Sequence, residues 1–225
     1  MSFFRDLVAR WRLQWQYRLG TWRARLWLAH VGAGAQIHPS ITFLQPSKIW
    51  IDERVDIRQH TILDARSKRT WGIRIGSASR IKDHVAFLAY GGEIHLGLQV
   101  LVGRCSTLMG HGGIYIGDWT MLGPQVNIIA SNHMATLDGR PFQEQGFTRE
   151  AVHIGSNVWI GAQVTVLAGA HIPSNSVIGA GSIVRGRLSR PGWLYAGNPA
   201  RPIRPLADKP PADLEIYFRD WGLYR

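Results

Sequence analysis

Chemistry at neutral pH needs a side chain that exchanges protons there, and imidazole is the group whose ordinary titration range lies nearby. The chain has nine histidines, at His30, His38, His60, His84, His95, His111, His133, His153 and His171. His133 stands out by its place. It follows Asn127-Ile128-Ile129-Ala130-Ser131-Asn132 and precedes a long polar stretch that ends near His153. A histidine at the point where an aliphatic segment gives way to a loop is expected to be partly exposed and able to take up a proton at neutral pH, or else to be simply one of nine histidines on a basic surface. Asn132 or Ser131 could orient its ring, or could simply shape the turn.

The elements that position it follow from a repeat. Written in sixes from Ile154, the chain reads IGSNVW, IGAQVT, VLAGAH, IPSNSV and IGAGSI. An aliphatic residue opens each hexad, and Val or Ser stands fifth in four of the five. A period of six fits neither an amphipathic helix nor a two-faced strand, whose periods are 3.6 and 2. It fits short strands joined at tight corners, three hexads to a coil, with each opening side chain stacked on its equivalent one coil away.

The same phase runs upstream through openings at Val31, Ile37, Ile51, Ile57, Ile75, Ile81, Leu96, Val102, Ile116 and Leu122. Every third segment is overlong: 43–50, 63–74, 87–95, 108–115 and the 26 residues of 128–153. With three hexads to a coil, all five excursions leave one edge of the prism, and loops gathered on a rigid scaffold are where function concentrates. The openings from Val31 to Val184 give seven coils of three strands, a rod of roughly 34 Å at about 4.8 Å per layer. The expected fold is therefore all-β, a parallel β-helix over residues 31–204 with a catalytic loop at 128–153.

The stretch from Ile116 to His133, the loop, and then Val152 to Arg204 with IGSNVWIGA and AGNPARPIR resembles the hexapeptide-repeat O-acetyltransferases. That family includes maltose, galactoside and nodulation-factor acetyltransferases and enzymes that acetylate bacterial polysaccharides. The resemblance implies a left-handed β-helix, a homotrimer with active sites between subunits, and His133 as the base for transfer from acetyl-CoA with no metal required. It places Trp159, Gly161, Ala162 and Ala180 along the pantetheine groove. Arg185, Arg201 and Arg204 fall at positions that reach the coenzyme's phosphates and adenine, with Asn198 and Pro199 in the same terminal turn. Guanidinium groups suit phosphate; Gly and Ala at corners have a structural use as well.

The sugar acetyltransferases also carry an Asn and an Asp upstream of the histidine that hold the acceptor. Neither is present in the aligned stretch from Gly103 to His111. A simple free galactoside or maltose is thus not the expected acceptor. The loop text PFQEQGF, 141–147, points to the surface-polysaccharide and lipopolysaccharide branch, with a saccharide or lipid-linked saccharide acceptor. His111 could contribute to the site, although a surface position on its own excursion is the simpler reading.

The 225 residues are 45% hydrophobic and 18% charged, as in globular proteins, with a net charge of +11 that favours anionic partners. Cys105 is the single cysteine, which rules out an internal disulfide and a Cys-rich zinc cluster and suits the cytoplasm; it reads as a small buried residue. In residues 1–30, Phe4, Leu7, Val8, Trp11, Trp15, Leu19, Trp22, Leu26 and Ala29 follow helical spacing among arginines too frequent for a signal peptide or membrane span. This segment either lies on an anionic bilayer or covers the rod's first coil, and Gly20-Thr21 could split it into two helices. After Pro205, residues 205–225 read as a short helix or tail.

Three other readings compete. The γ-type carbonic anhydrases use the same rod with zinc-binding histidines five residues apart, a spacing absent here. A non-catalytic scaffold or membrane-surface module would explain repeat and charge but not the terminus together with the loop histidine. Nucleic-acid binding, suggested by charge and ten tryptophans, has no motif behind it.

Overall fold

In the computed structural model, which describes residues 2–208 and side chains from Gln14 onward, the hexads wind into a left-handed parallel β-helix of triangular section. This hand departs from the usual right-handed crossover. Face one stacks seven strands from His30–Val31 to His171–Ile172. Face two stacks eight parallel strands from Gln36–Ile37 to Trp193–Ala196, with Arg201–Pro205 added antiparallel. Face three stacks seven from Thr42–Leu44 to Ile183–Val184. Seven coils are complete and an eighth is begun.

The register is the one the repeat requires. Val31 pairs with Ile51, Ile51 with Ile75, Ile116 with Ile154 and Ile154 with Ile172 on face one, and Ile128 pairs with Val166 on face three. The first and fifth residues of each hexad fill the prism: Ile154, Val158, Ile160, Val164 and Val166 are all buried. Two of the fifth-place serines are satisfied by the adjoining coil, as when Ser79 Oγ donates to Gly97 O at 3.1 Å and accepts from Val100 N at 3.0 Å, and Ser106 does the same with Gly123 O and Val126 N.

The fourth residue turns the corner. It takes the left-handed region at Asn157 (φ 54°), Gln163 (φ 59°) and Asn175 (φ 58°), a conformation β-branched residues avoid. Cys105 occupies this place in its hexad, with φ 58°. It is therefore exposed rather than buried, because a corner residue lies outside the column of opening side chains.

Helix α1 (Ser2–Trp27) covers the first coil. It runs unbroken through Gly20-Thr21, so the expected split does not occur. Gly20 is there because the helix crosses the first coil's backbone: a Cβ would strike Ile37 O and come within 2.7 Å of Pro39 N. Thr21 Oγ1 then accepts from Ile37 N at 3.0 Å, and Arg23 Nη2 donates to Ile41 O at 2.6 Å. Gly20, Ala24 and Leu28, spaced by four, form the buried face, while Leu19, Trp22 and Leu26 are exposed. Within the helix the capping face is thus made of the small residues Gly20 and Ala24, not of the apolar stripe. Of the expected C-terminal helix or tail, 209–225 lies outside the described residues.

Candidate active site

The five excursions do leave one edge, between faces three and one, and they bond to one another along it. Lys48 Nζ donates to Ser67 O at 2.6 Å, Ser67 bridges Gly91, and the rings of Tyr90 and His111 lie 4.8 Å apart. The longest is not structureless. Ser131–His133 and Phe147–Arg149 form an antiparallel hairpin, and a 3-10 turn at Phe142–Glu144 shapes its tip. Gln145 holds that tip: its amide donates to Thr136 O at 2.9 Å and Arg140 O at 2.8 Å and accepts from Thr136 N at 2.8 Å. The sequence PFQEQGF thereby acquires a local reason.

His133 is the last residue of the outgoing strand and lies opposite Phe147, with ring centroids 6.1 Å apart. It is exposed, and no hydrogen bond engages its ring among the described residues. Successive side chains on a strand alternate, so Ser131 shares His133's face and Asn132 does not. Ser131 Oγ sits 3.3 Å from Nδ1 of His111, not at the His133 ring. His111 also meets Phe147 edge-on at 5.1 Å. Burial first, then the charges of Arg149 and His133, lowers the His111 pKa below the ordinary imidazole value. His111 is therefore held neutral near neutral pH, beside His133 rather than on an isolated surface.

Beside this pair lies a hollow of about 560 Å³ lined by Arg66, Lys68, Tyr90, His111 and Phe147 among others. Arg66 is committed to Asp64, which is 1% exposed, through contacts of 2.9 and 2.6 Å. Burial alone would raise the Asp64 pKa, but the guanidinium bonds hold it low. Among the described residues Lys68 has no carboxylate partner, while Tyr90 and Phe147 supply flat apolar surface. Arg66, Tyr90, His111 and Ser131 each stand third after a face-three opening at Leu63, Phe87, Leu108 and Ile128. The repeat arithmetic alone could have placed them in one column.

Most other histidines are structural. His30 stacks on Trp50 at 4.2 Å, His60 on His84 at 5.0 Å, and His153 on Tyr115 at 4.9 Å. The Tyr115 hydroxyl donates to Glu93 at 2.6 Å, and burial together with Glu93 pushes its pKa up to about 12. Among the described residues no group of three or more His, Cys, Asp or Glu stands ready to hold a metal ion.

The residues expected to line a coenzyme groove gather at a different edge, between faces two and three. Gly161-Ala162 and Gly179-Ala180 stack there, and Ala196-Gly197 continues the column: a Cβ on Gly161 would lie 2.6 Å from Ala180 N, and one on Gly179 3.0 Å from the Ala196 Cβ. The corner is a strip without side-chain bulk, flanked on face two by Trp159, which is 53% exposed. Asn198-Pro199 belongs to the turn that docks on face three through Ile183 N to Gly197 O at 3.0 Å and Ala200 N to Ile183 O at 2.8 Å. Arg201 pairs with Ala196 and so caps the strip; Arg204 pairs with Leu194 further along face two. Arg185 does not join them. It follows Ile183–Val184 of face three and lies toward the edge that carries the loops.

His133 and the strip are separated by the width of face three, roughly 10 Å for a three-residue strand. Within one protomer they occupy different edges of the prism.

Residues 151–186 match the family model of the bacterial transferase hexapeptide, six repeats. The chain is 34% identical over 135 residues to the galactoside O-acetyltransferase of Escherichia coli K12, across 60% of this chain and 64% of that one. It is 40% identical over 96 residues to the galactoside O-acetyltransferase of Lactococcus lactis, across 42% and 45%. The matches span less than two thirds of these relatives' own lengths. A variant of AntD, an N-acyltransferase of Bacillus cereus solved with dTDP and coenzyme A, superposes with a TM-score of 0.60 over 82% of this chain and 87% of that one. At 19% identity it is similar in fold.

Proposed function

We propose that the chain acts as a hexapeptide-repeat O-acetyltransferase, moving an acetyl group from acetyl-CoA to a hydroxyl of a saccharide, with His133 as general base. The observation that carries this reading is the placement of an exposed, unengaged imidazole at the root of the longest excursion, beside a hollow lined by Tyr90, Phe147 and Lys68.

The acceptor enters the hollow, its ring against the aromatic surfaces, and His133 removes the hydroxyl proton as the oxygen attacks the acyl carbonyl. Acetyl-CoA supplies the thioester: the new C–O bond forms, the C–S bond breaks, and the proton held on His133 passes to the departing thiolate. Neutral His111, fixed by Ser131, adds no second positive charge to oppose His133 as it takes up that proton. The strip of small residues at Gly161, Ala162 and Ala180 fits an extended pantetheine arm, with Trp159 alongside and Arg201 and Arg204 toward its phosphates and adenine, as Asn198 and Pro199 shape the end. Arg185 on the other edge suits the same ligand only if it lies along a second copy.

That separation supports the homotrimer implied by the family likeness: a second copy that lays its strip against His133 completes the site. The AntD structures contain a dTDP-sugar or dTDP, and the curated relatives are named for galactosides. For this chain we take a saccharide of surface-polysaccharide or lipopolysaccharide biosynthesis, free, nucleotide-linked or lipid-linked, acylated in the cytoplasm. Purified protein with acetyl-CoA and a panel of nucleotide sugars, lipid-linked sugars and free saccharides tests this. Thiol release matched by a product one acetyl group heavier supports it. No acetylated product from any saccharide class would favour a non-catalytic scaffold.

A further inference from the structure

Helix α1 turns two faces to two surroundings. Gly20, Ala24 and Leu28 are buried against the first coil. Opposite them, Leu19, Trp22 and Leu26 are 55, 63 and 61% exposed, and Trp15 on the same stripe is 45% exposed. Spacings of four, three and four place these residues on one line along the helix. In sequence, Phe4, Val8 and Trp11 continue the same spacing toward the N-terminus. Single exposed apolar residues are ordinary, but a contiguous stripe with two tryptophans marks a docking surface.

The flank between stripe and rod says what it docks to. Arg18 and Arg25, with Tyr17, Trp22 and Arg58, line a hollow of about 580 Å³ between α1 and the rod. Arg58 is neutralised by Asp56 at 3.0 Å. Among the described residues Arg18 and Arg25 pair with no carboxylate. An apolar stripe rimmed by guanidinium groups that have no carboxylate partner among the described residues, on a chain of net charge +11, complements an anionic lipid surface better than another copy of an equally basic chain. No helix among the described residues is long and apolar enough to cross a membrane, so such contact is along the surface.

We propose that α1 lies flat on an anionic bilayer, with Leu19, Trp22 and Leu26 in the interface and Arg18 and Arg25 against lipid phosphates, while its small-residue face holds the rod. Capping and membrane contact are two sides of one helix. This proposal does not depend on acyl transfer.

Flotation of the full-length protein with vesicles of phosphatidylcholine, with and without phosphatidylglycerol, tests it. The protein should float with the anionic vesicles, less so as salt rises. The triple variant L19Q/W22Q/L26Q should lose at least tenfold in binding while its melting temperature and oligomeric state stay unchanged. R18Q/R25Q should weaken binding to the anionic vesicles roughly thirtyfold, on about fivefold per arginine near the surface. Equal binding to neutral and anionic vesicles, or wild-type binding by the triple variant, would overturn the proposal. So would a triple variant that changes oligomeric state, since the stripe would then be covered by a second copy.

Discussion

Replacing Gly20 with Ala sets two effects of opposite sign against each other. In a free helix the change gains about 1 kcal/mol of helix propensity. Here the new Cβ would strike Ile37 O and lie 2.7 Å from Pro39 N and 2.8 Å from His38 C, all backbone of the first coil and unable to swing aside. Overpacking of this kind costs about 1–3 kcal/mol. If the helix lifts instead, it strains the 2.6 Å bond from Arg23 to Ile41 O and the 3.0 Å bond from Ile37 N to Thr21. Those are worth roughly 1.5–3 kcal/mol for the charged donor and about 1 kcal/mol for the neutral one. The losses win, by roughly 2 kcal/mol. At about 2–4 °C per kcal/mol for a chain of this size, the melting temperature falls by roughly 4–8 °C. Differential scanning fluorimetry reads the shift, and hydrogen exchange at the Ile37 amide should lose protection. A raised melting temperature with Ile37 still protected would refute the contact that this account gives to Gly20.

Other changes reach different parts of the rod. Ile128→Ala removes an opening side chain that is 0% exposed at the root of the loop hairpin, and should cost about 2–5 kcal/mol by chemical denaturation. Gly161→Val puts bulk within 2.6 Å of Ala180 N, so binding of coenzyme A measured by calorimetry should weaken more than tenfold if the strip holds the pantetheine arm. The pKa values of His38, His111 and His171 are all lowered, burial being the largest cause in each. In the folded state these imidazoles bind protons less readily than in the unfolded chain, so stability is full above about pH 6.5 and is lost as pH falls through their folded values. A melting temperature that rose on acidification from pH 7 to 5 would contradict this.

The repeat was legible because each hexad opening does one job, filling the prism, and its period cannot be mistaken for another element's. Val31, Ile51 and Ile75 stack as their spacing requires, and the excursions share an edge because three hexads close a coil. What escaped was anything set by contacts across coils. His111 read as a surface residue because its partners Ser131 and Phe147 stand 20 and 36 residues away, although its place third after Leu108 matches that of Ser131 after Ile128. Cys105 read as buried because cysteine usually is, whereas its hexad position decides the matter. The sequence of the N-terminal segment leaves open which face of a capping helix meets the rod, because its apolar stripe is the more conspicuous one. Yet a helix crossing bare backbone needs Gly and Ala at the contact, and Gly20 and Ala24 provide it, with Leu28 buried just beyond the helix end.

The central claim is that His133, and not His111 beside it, takes the acceptor's proton. Initial rates of acetyl transfer for His133→Ala and His111→Ala, on preparations with wild-type melting temperature and oligomeric state, address it directly. Loss of general-base catalysis should lower kcat by roughly 10²–10⁴-fold in His133→Ala. His111→Ala should retain activity within about tenfold, since that residue abuts the base without receiving the proton in this account. Wild-type rates in His133→Ala, or a larger loss in His111→Ala, would contradict the assignment.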